Sequence, residues 1–238
     1  MTKTPLEQRC RWHPVDDVAA MRSVAAARIL ASAGRALAER GRFLLVLAGG
    51  NTPRGVYALL RDAPTDWSAW HIFYGDERCT PPGDADRNSR MAALAWLDHV
   101  PIPKTQIHDM PAELGPTQAA ARYAALLAPV GDFDLVLLGL GEDGHTGSLF
   151  PGGDLGQCAD APDALPVFAS PKPPPERVTL SAHRFGRTAE VIFMVSGDDK
   201  RDAVARWRRG EPIPARAIAP EAGVDVIVES ALLRPALA

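Results

Sequence analysis

The chain has 238 residues, of which 46% are apolar and 23% charged, and its formal net charge is −3. This is the composition of a globular protein, and the slight acidity speaks against a dedicated nucleic-acid binder, which needs a basic surface to neutralise phosphates. No apolar run approaches the ~20 residues that span a bilayer, and residues 1–14 contain no apolar core of a signal peptide, so neither membrane nor export is expected. The first element is helical. Val18, Met21, Ala25 and Ile29 recur at helical spacing, Asp16 or Asp17 can cap the start, and Gly41 can end it. Residues 43–48 form an uninterrupted apolar run near glycines, which suits a strand covered on both faces, as in parallel sheets. Thr52-Pro53 then reads as an N-cap followed by proline at the first position of a helix running to Arg61.

A second strand is expected at residues 71–74, followed by a polar loop and a helix-like stretch over 88–97. A short segment at Ile107-His108 precedes an alanine-rich helix near 117–127, and FDLVLLGL at 133–140 is the strongest buried strand. Residues 152–175, rich in proline and glycine, read as an excursion with an edge strand at 165–168, inside a single domain spanning 1–238. Strands at 177–181, 190–195 and 225–228 and a helix near 198–209 complete the set. Strands alternating with helices imply βαβ units: an α/β fold of three layers, with a mostly parallel, Rossmann-like sheet between helices.

Four loops that directly follow expected strands collect the unusual residues, and in a parallel sheet all four emerge at the edge where open α/β sheets bind ligands. In the first, Gly49-Gly50-Asn51-Thr52-Pro53, free amides at a helix start favour an anion, or else the loop is an ordinary strand-to-helix turn. In the second, Arg78 of Asp76-Glu77-Arg78 either clamps a phosphate or carboxylate or joins an internal salt-bridge network. The third contains GLGEDG, a literal GxGxxG. Glu142 and Asp143 would repel a pyrophosphate and Pro151-Gly152-Gly153 interrupts the next segment, so no dinucleotide is expected. What remains there is Asp143-Gly144-His145, either a general base with an orienting carboxylate or a structural loop histidine. In the fourth, Lys200 sits in the first turn of a helix, where a cation opposes the dipole; it answers a bound anion or is a solvated surface lysine. It is one of only four lysines, with Lys3, Lys104 and Lys172. Cys10, Cys79 and Cys158 lack a CxxC pair, the pattern of a reduced, cytoplasmic protein. No GxSxG elbow and no His/Asp/Glu cluster with metal-ligand spacing is present, so neither a serine nucleophile, a metal nor a cofactor is expected.

In this order, GGNTP, GDERC, Asn88, DLVLLGLGEDGHTGSLFPG, ERVTLS and VSGDDKRDAV resemble the 6-phosphogluconolactonases of the pentose phosphate pathway, over Gly49 to Val204. The resemblance implies hydrolysis of the small-molecule substrate 6-phospho-D-glucono-1,5-lactone to 6-phospho-D-gluconate, on a fold shared with glucosamine-6-phosphate deaminases and sugar-phosphate isomerases. Gly50, Asn51, Thr52 and Lys200 match the sugar-phosphate cradle, and His145 matches the catalytic histidine, with Asp143 beside it and Arg78 facing substrate. Asp76 matches the enolising aspartate of the deaminase-like relatives, and Arg177 matches a motif residue without an assigned role. Those relatives carry a glutamate before the proline of their DGH motif, where Phe150 stands here, so their acid/base group lacks a member. Arg87 replaces the serine often found before Asn88. A deaminase or isomerase and a non-catalytic sugar-phosphate sensor are the alternatives; against the sensor, no DNA-binding module is appended and both His145 and Asp143 are present.

Overall fold

The computed structural model describes residues 7–234; residues 1–6, with Lys3 and the start of the segment read for a signal peptide, and residues 235–238 lie outside the described residues. The first strand, β1 (Cys10–Val15), leads into helix α1 (Val18–Arg40). The Asp17 side chain caps α1 by accepting from Ala20 N–H at 2.8 Å, and Gly41 ends it at φ 67°. Strand β2 (Phe43–Leu47) is buried at every position, so both its faces are covered, and helix α2 (Asn51–Leu59) follows. Next come β3 (Trp70–Tyr74), β4 (Asp76–Arg78) and the short helix α3 (Asn88–Ala92), which continues as a wider π-turn over Ala93–Leu97. Strand β5 (Ile107–His108), helix α4 (Pro116–Leu127), β6 (Phe133–Gly139) and β7 (Ala164–Val167) continue the chain. It closes with β8 (Arg177–Leu180), α5 (Ala182–Gly186), β9 (Thr188–Val195), α6 (Arg201–Arg208) and β10 (Val224–Glu229).

Seven strands form one parallel sheet in the order β1-β10-β9-β6-β2-β3-β5, flanked by helices. From β2 the chain runs outward through β3 to β5, then returns to β6 on the other side of β2 and continues to β9 and β10. The order therefore reverses between β2 and β6, the switch point at which such sheets open a crevice. The core is continuous from α1 (Met21, Ala25, Ile29) across β2 and β6 to Phe193 and Trp207. Each large apolar side chain buried there contributes roughly 1.5–3 kcal/mol.

Four readings from sequence are corrected. Asp76–Arg78 is not loop but strand, and β8 belongs not to the main sheet but to a second, antiparallel one of order β4-β8-β7. Gly75 is the junction: its N–H donates to Leu47 O at 3.0 Å in the large sheet, and its carbonyl accepts from Leu180 N–H at 2.8 Å in the small one. Helix α2 starts two residues earlier than expected, with Gly50 rather than Thr52 in the cap position, because the turn needs φ 105°. The helix expected over 198–209 divides into a 3-10 turn, Asp198–Lys200, and α6, so Lys200 sits at the N-cap of α6 rather than within its first turn. Strand β1 carries no clear periodic signal; its edge pairing with β10, from Cys10↔Val224 to Val15↔Glu229, creates it.

Candidate active site

The loops after β2, β3, β6 and β9 converge at the carboxyl edge of the sheet around a cleft of about 310 Å³. Gly50, Asp76, Arg78, His145 and Lys200 all line it. Asn51 and Thr52 do not; they form the first turn of α2 beside it, where Thr52 Oγ1 lies 2.8 Å from Ser196 Oγ and so ties α2 to the loop after β9. Asp143 stands behind His145, with its carboxylate 2.5 Å from His145 Nδ1 and accepting His145 N–H at 3.0 Å. Burial pushes this carboxyl upward, but the hydrogen bonds and charge of His145 outweigh it and leave it below its ordinary value. A carboxylate only accepts, so the bonded Nδ1 carries a proton and Nε2 is the nitrogen left for chemistry in the cleft.

Glycine makes this packing possible at one point above all. A side chain at Gly141 would stand 1.9 Å from His145 Nδ1, so the imidazole occupies the space a side chain would take. Phe150 packs against the ring at 4.7 Å between centroids, and the Arg177 guanidinium lies 5.7 Å from the centre of the Phe150 ring.

The Asp76-Glu77-Arg78 triplet divides between the two roles read from sequence. Asp76 and Arg78 face the cleft. Glu77 points inward, fully buried, and accepts the main-chain N–H groups of Arg78, Asn88 and Ser89 at 2.9, 2.7 and 2.8 Å. Burial pushes the Glu77 carboxyl up, and these donors pull it part of the way back. Its ion-pair partner is Arg87, at 3.6 Å, which also donates to Met110 O and Glu113. The arginine before Asn88 is thus an interior brace and not a cleft residue.

Two cations that carried no assigned role join the cleft: Lys172, from the proline-rich excursion, and Arg177, on β8. Arg177 donates to the carbonyls of Lys172, Pro173 and Pro174 and so holds the excursion over the cleft. The scarcity of lysine in the sequence was a signal that could have pointed to Lys172. Lys172 and Lys200 each pair with a carboxylate, Glu142 at 3.0 Å and Asp199 at 2.7 Å. The lining itself holds four cations (Arg78, Lys172, Arg177, Lys200) and one carboxylate, Asp76. Among the described residues, no group of three or more His, Cys, Asp or Glu side chains is placed to hold a metal ion, and no helix is long and apolar enough to cross a membrane.

Known proteins resemble this chain in sequence and in fold. The chain is 41% identical over 219 residues to the 6-phosphogluconolactonase of Mycobacterium leprae, an alignment covering 84% of this chain and 87% of that protein. Its identity to the 6-phosphogluconolactonase of Synechocystis is 39%, over 79% of this chain and 82% of that one. The fold superimposes with a TM-score of 0.85 on the crystal structure of 6-phosphogluconolactonase from Thermotoga maritima, 25% identical, covering 93% of this chain and all of that one (100%). A sequence model of the family described as glucosamine-6-phosphate isomerases/6-phosphogluconolactonase matches residues 16–227. With nearly its whole length accounted for, the chain belongs to the glucosamine-6-phosphate isomerase/6-phosphogluconolactonase family.

Proposed function

We propose that this protein is a 6-phosphogluconolactonase, hydrolysing 6-phospho-D-glucono-1,5-lactone to 6-phospho-D-gluconate in the oxidative branch of the pentose phosphate pathway. The observation that carries this reading is the make-up of the cleft: a carboxylate-backed imidazole shares one wall system with four cations and a single acid. A phosphorylated lactone asks for both features, positive charge for its dianion and a base for the water that attacks C1.

In this reading the phosphate docks at the start of α2, formed by Gly50, Asn51 and Thr52, where free amides and the helix dipole favour an anion, and on Lys200. His145 Nε2 takes a proton from water as the oxygen attacks the C1 carbonyl. Asp143 holds the opposite nitrogen and balances the imidazolium that forms. The imidazolium then returns the proton to the ring oxygen as the C1–O bond breaks, leaving the open acid. Arg78 stabilises the tetrahedral oxyanion from the cleft wall. The general base supplies about 10²–10⁴-fold. The chain acts as a single lactonase domain in which the excursion over residues 152–175 supplies Lys172 to the cleft.

The runner-up is a deaminase or isomerase. Phe150, packed on His145, stands against it, because phenylalanine cannot shuttle the proton that the glutamate of deaminase-like relatives carries. The test is a coupled assay with the lactone generated in place and the spontaneous rate subtracted. Acceleration over buffer is the expected result. Binding of 6-phosphogluconate without acceleration would make the protein a sensor, and ammonia release from glucosamine 6-phosphate or aldose–ketose exchange would make it a deaminase or isomerase.

A further inference from the structure

Asp76 is the one carboxylate in the cleft lining, and the lactonase mechanism leaves it without a task. We propose that Asp76 is an acceptor that reads hydroxyl groups of the sugar ring, and that Ser148, together with Asn88, is the positioning residue that fixes its carboxylate for this purpose. The proposal rests on the lactonase reading and adds a specificity device to the same site.

The carboxylate is gripped at both oxygens. Ser148 Oγ donates to Oδ2 at 2.6 Å, and Asn88 Nδ2 donates to Oδ1 at 3.0 Å and to the Asp76 carbonyl at 2.9 Å. Neither gripping residue is free to move. Ser148 is 2% exposed and its N–H is directed at Thr179 Oγ1 on β8, at 3.3 Å. Asn88 is 3% exposed, its N–H is bonded to buried Glu77, and its carboxamide lies so close to Gly49 that a side chain there would come within 2.0 Å of Asn88 Oδ1. The partners of Asp76 are thus an amide and a hydroxyl rather than cations.

A carboxylate oxygen has two acceptor sites, so one on each oxygen remains after these bonds are made. The small exposed part of Asp76 faces the cleft. A rigid pair of acceptors in a polar cleft suits neighbouring O–H groups of a sugar ring. A ring lacking one of those hydroxyls leaves a buried acceptor unpaired, which is the strongest form of rejection available to a polar site. Ser148 lies three residues beyond His145, so its bond to Asp76 also sets the histidine loop in register with the acceptor.

The experiment compares wild type, Ser148→Ala and Ser148→Thr on 6-phosphogluconolactone and on its 2-deoxy and 3-deoxy analogues. Ser148→Ala is expected to raise KM for the full lactone roughly 10-fold or more, the worth of the bond from a sugar hydroxyl to an Asp76 carboxylate that is no longer held in line. The change in kcat is smaller, the preference over a deoxy lactone narrows, and Ser148→Thr recovers part of it. Equal losses on all three lactones, or an unchanged preference, would overturn the proposal by reducing Ser148 to a structural part. If Ser148→Ala does not fold, Asp76→Asn conserves volume and must erase the same discrimination. If wild type opens no lactone, the lactonase reading fails instead, and calorimetry of 6-phosphogluconate against its deoxy forms then decides whether Asp76 reads hydroxyls.

Discussion

Two charged hollows lie at opposite edges of the same sheet, and only one reads as an active site. The cleft at the carboxyl edge encloses about 310 Å³, while a groove at the amino edge, between α1 and the starts of β1, β10, β9 and β6, encloses about 620 Å³. The larger hollow is self-neutralised. Four arginines (Arg11, Arg28, Arg35, Arg40) meet four carboxylates (Glu39, Asp134, Glu190, Asp225), with His13 beside them. Asp225 accepts from Arg11 at 2.7 Å, faces His13 at 2.5 Å and lies 3.2 Å from Arg28, while Glu190 accepts from Arg28 and Arg35. Little charge is left over to attract a ligand. The cleft lining holds four cations and one acid; Lys172 and Lys200 pair with Glu142 and Asp199 outside the lining, while Arg78 and Arg177 have no carboxylate ion-pair partner among the described residues. Unbalanced charge at the switch point, not volume, separates a binding site from an ionic brace.

The contrast can be broken by substitution on either side. The largest effect is expected for His145→Ala, with kcat lowered about 10²–10⁴-fold and KM little changed in steady-state assays. Near-normal turnover by the folded variant would remove the histidine from the chemistry. Lys200→Ala should raise KM for the phosphorylated lactone by about 10–100-fold, the worth of a charged hydrogen bond, and leave an unphosphorylated lactone unaffected. Equal effects on both would show that Lys200 does not hold the phosphate.

On the groove side, Asp225→Asn should spare kcat and cost stability. Burial pushes the Asp225 carboxyl up, but bonds from Arg11 and His13 and the charge of Arg28 bring it from 3.8 down to about 2. A depressed carboxyl stabilises the fold fully above its unfolded value and loses that contribution as pH falls through the folded one. The gap between wild type and variant is therefore on the order of 1 kcal/mol at neutral pH, since the half-exposed partners are screened by solvent, and closes between about pH 4 and pH 2 in urea titrations. A pH-independent gap would mean that the ion pairs are not its source. The smallest effect is expected for Asp17→Ala, which removes the cap of α1, the helix that roofs the groove: about 1 kcal/mol of stability by thermal melting, with turnover unchanged.

Much of the site could be read from sequence because its signals are local. His145 and its carboxylate are two residues apart, and the glycines that make room for them sit in the same loop. Lys172, Arg177 and Ser148 escaped assignment because each acquires its role from a partner distant in sequence or from the small sheet. Ser148 reaches Asp76 across 72 positions, and Arg177 gains its place by pairing with Arg78 in an antiparallel ladder. The acidic triplet after β3 shows the same limit, since composition alone could not tell that Glu77 turns inward while its two neighbours face the cleft.

The order of buried strands and helices, the parallel sheet they imply and the four loops at its carboxyl edge were determined by local pattern, because apolar runs and glycine turns act over a few residues. Which strands became neighbours, that β1 would pair with a partner more than 200 residues away, that Asp76–Arg78 would join a second sheet, and that Arg78 and Arg177 would line the cleft without a carboxylate ion-pair partner were decided only by the tertiary structure. Those outcomes depend on non-local pairing and on the balance of charge in a closed space, and neither is written in any single stretch of the chain.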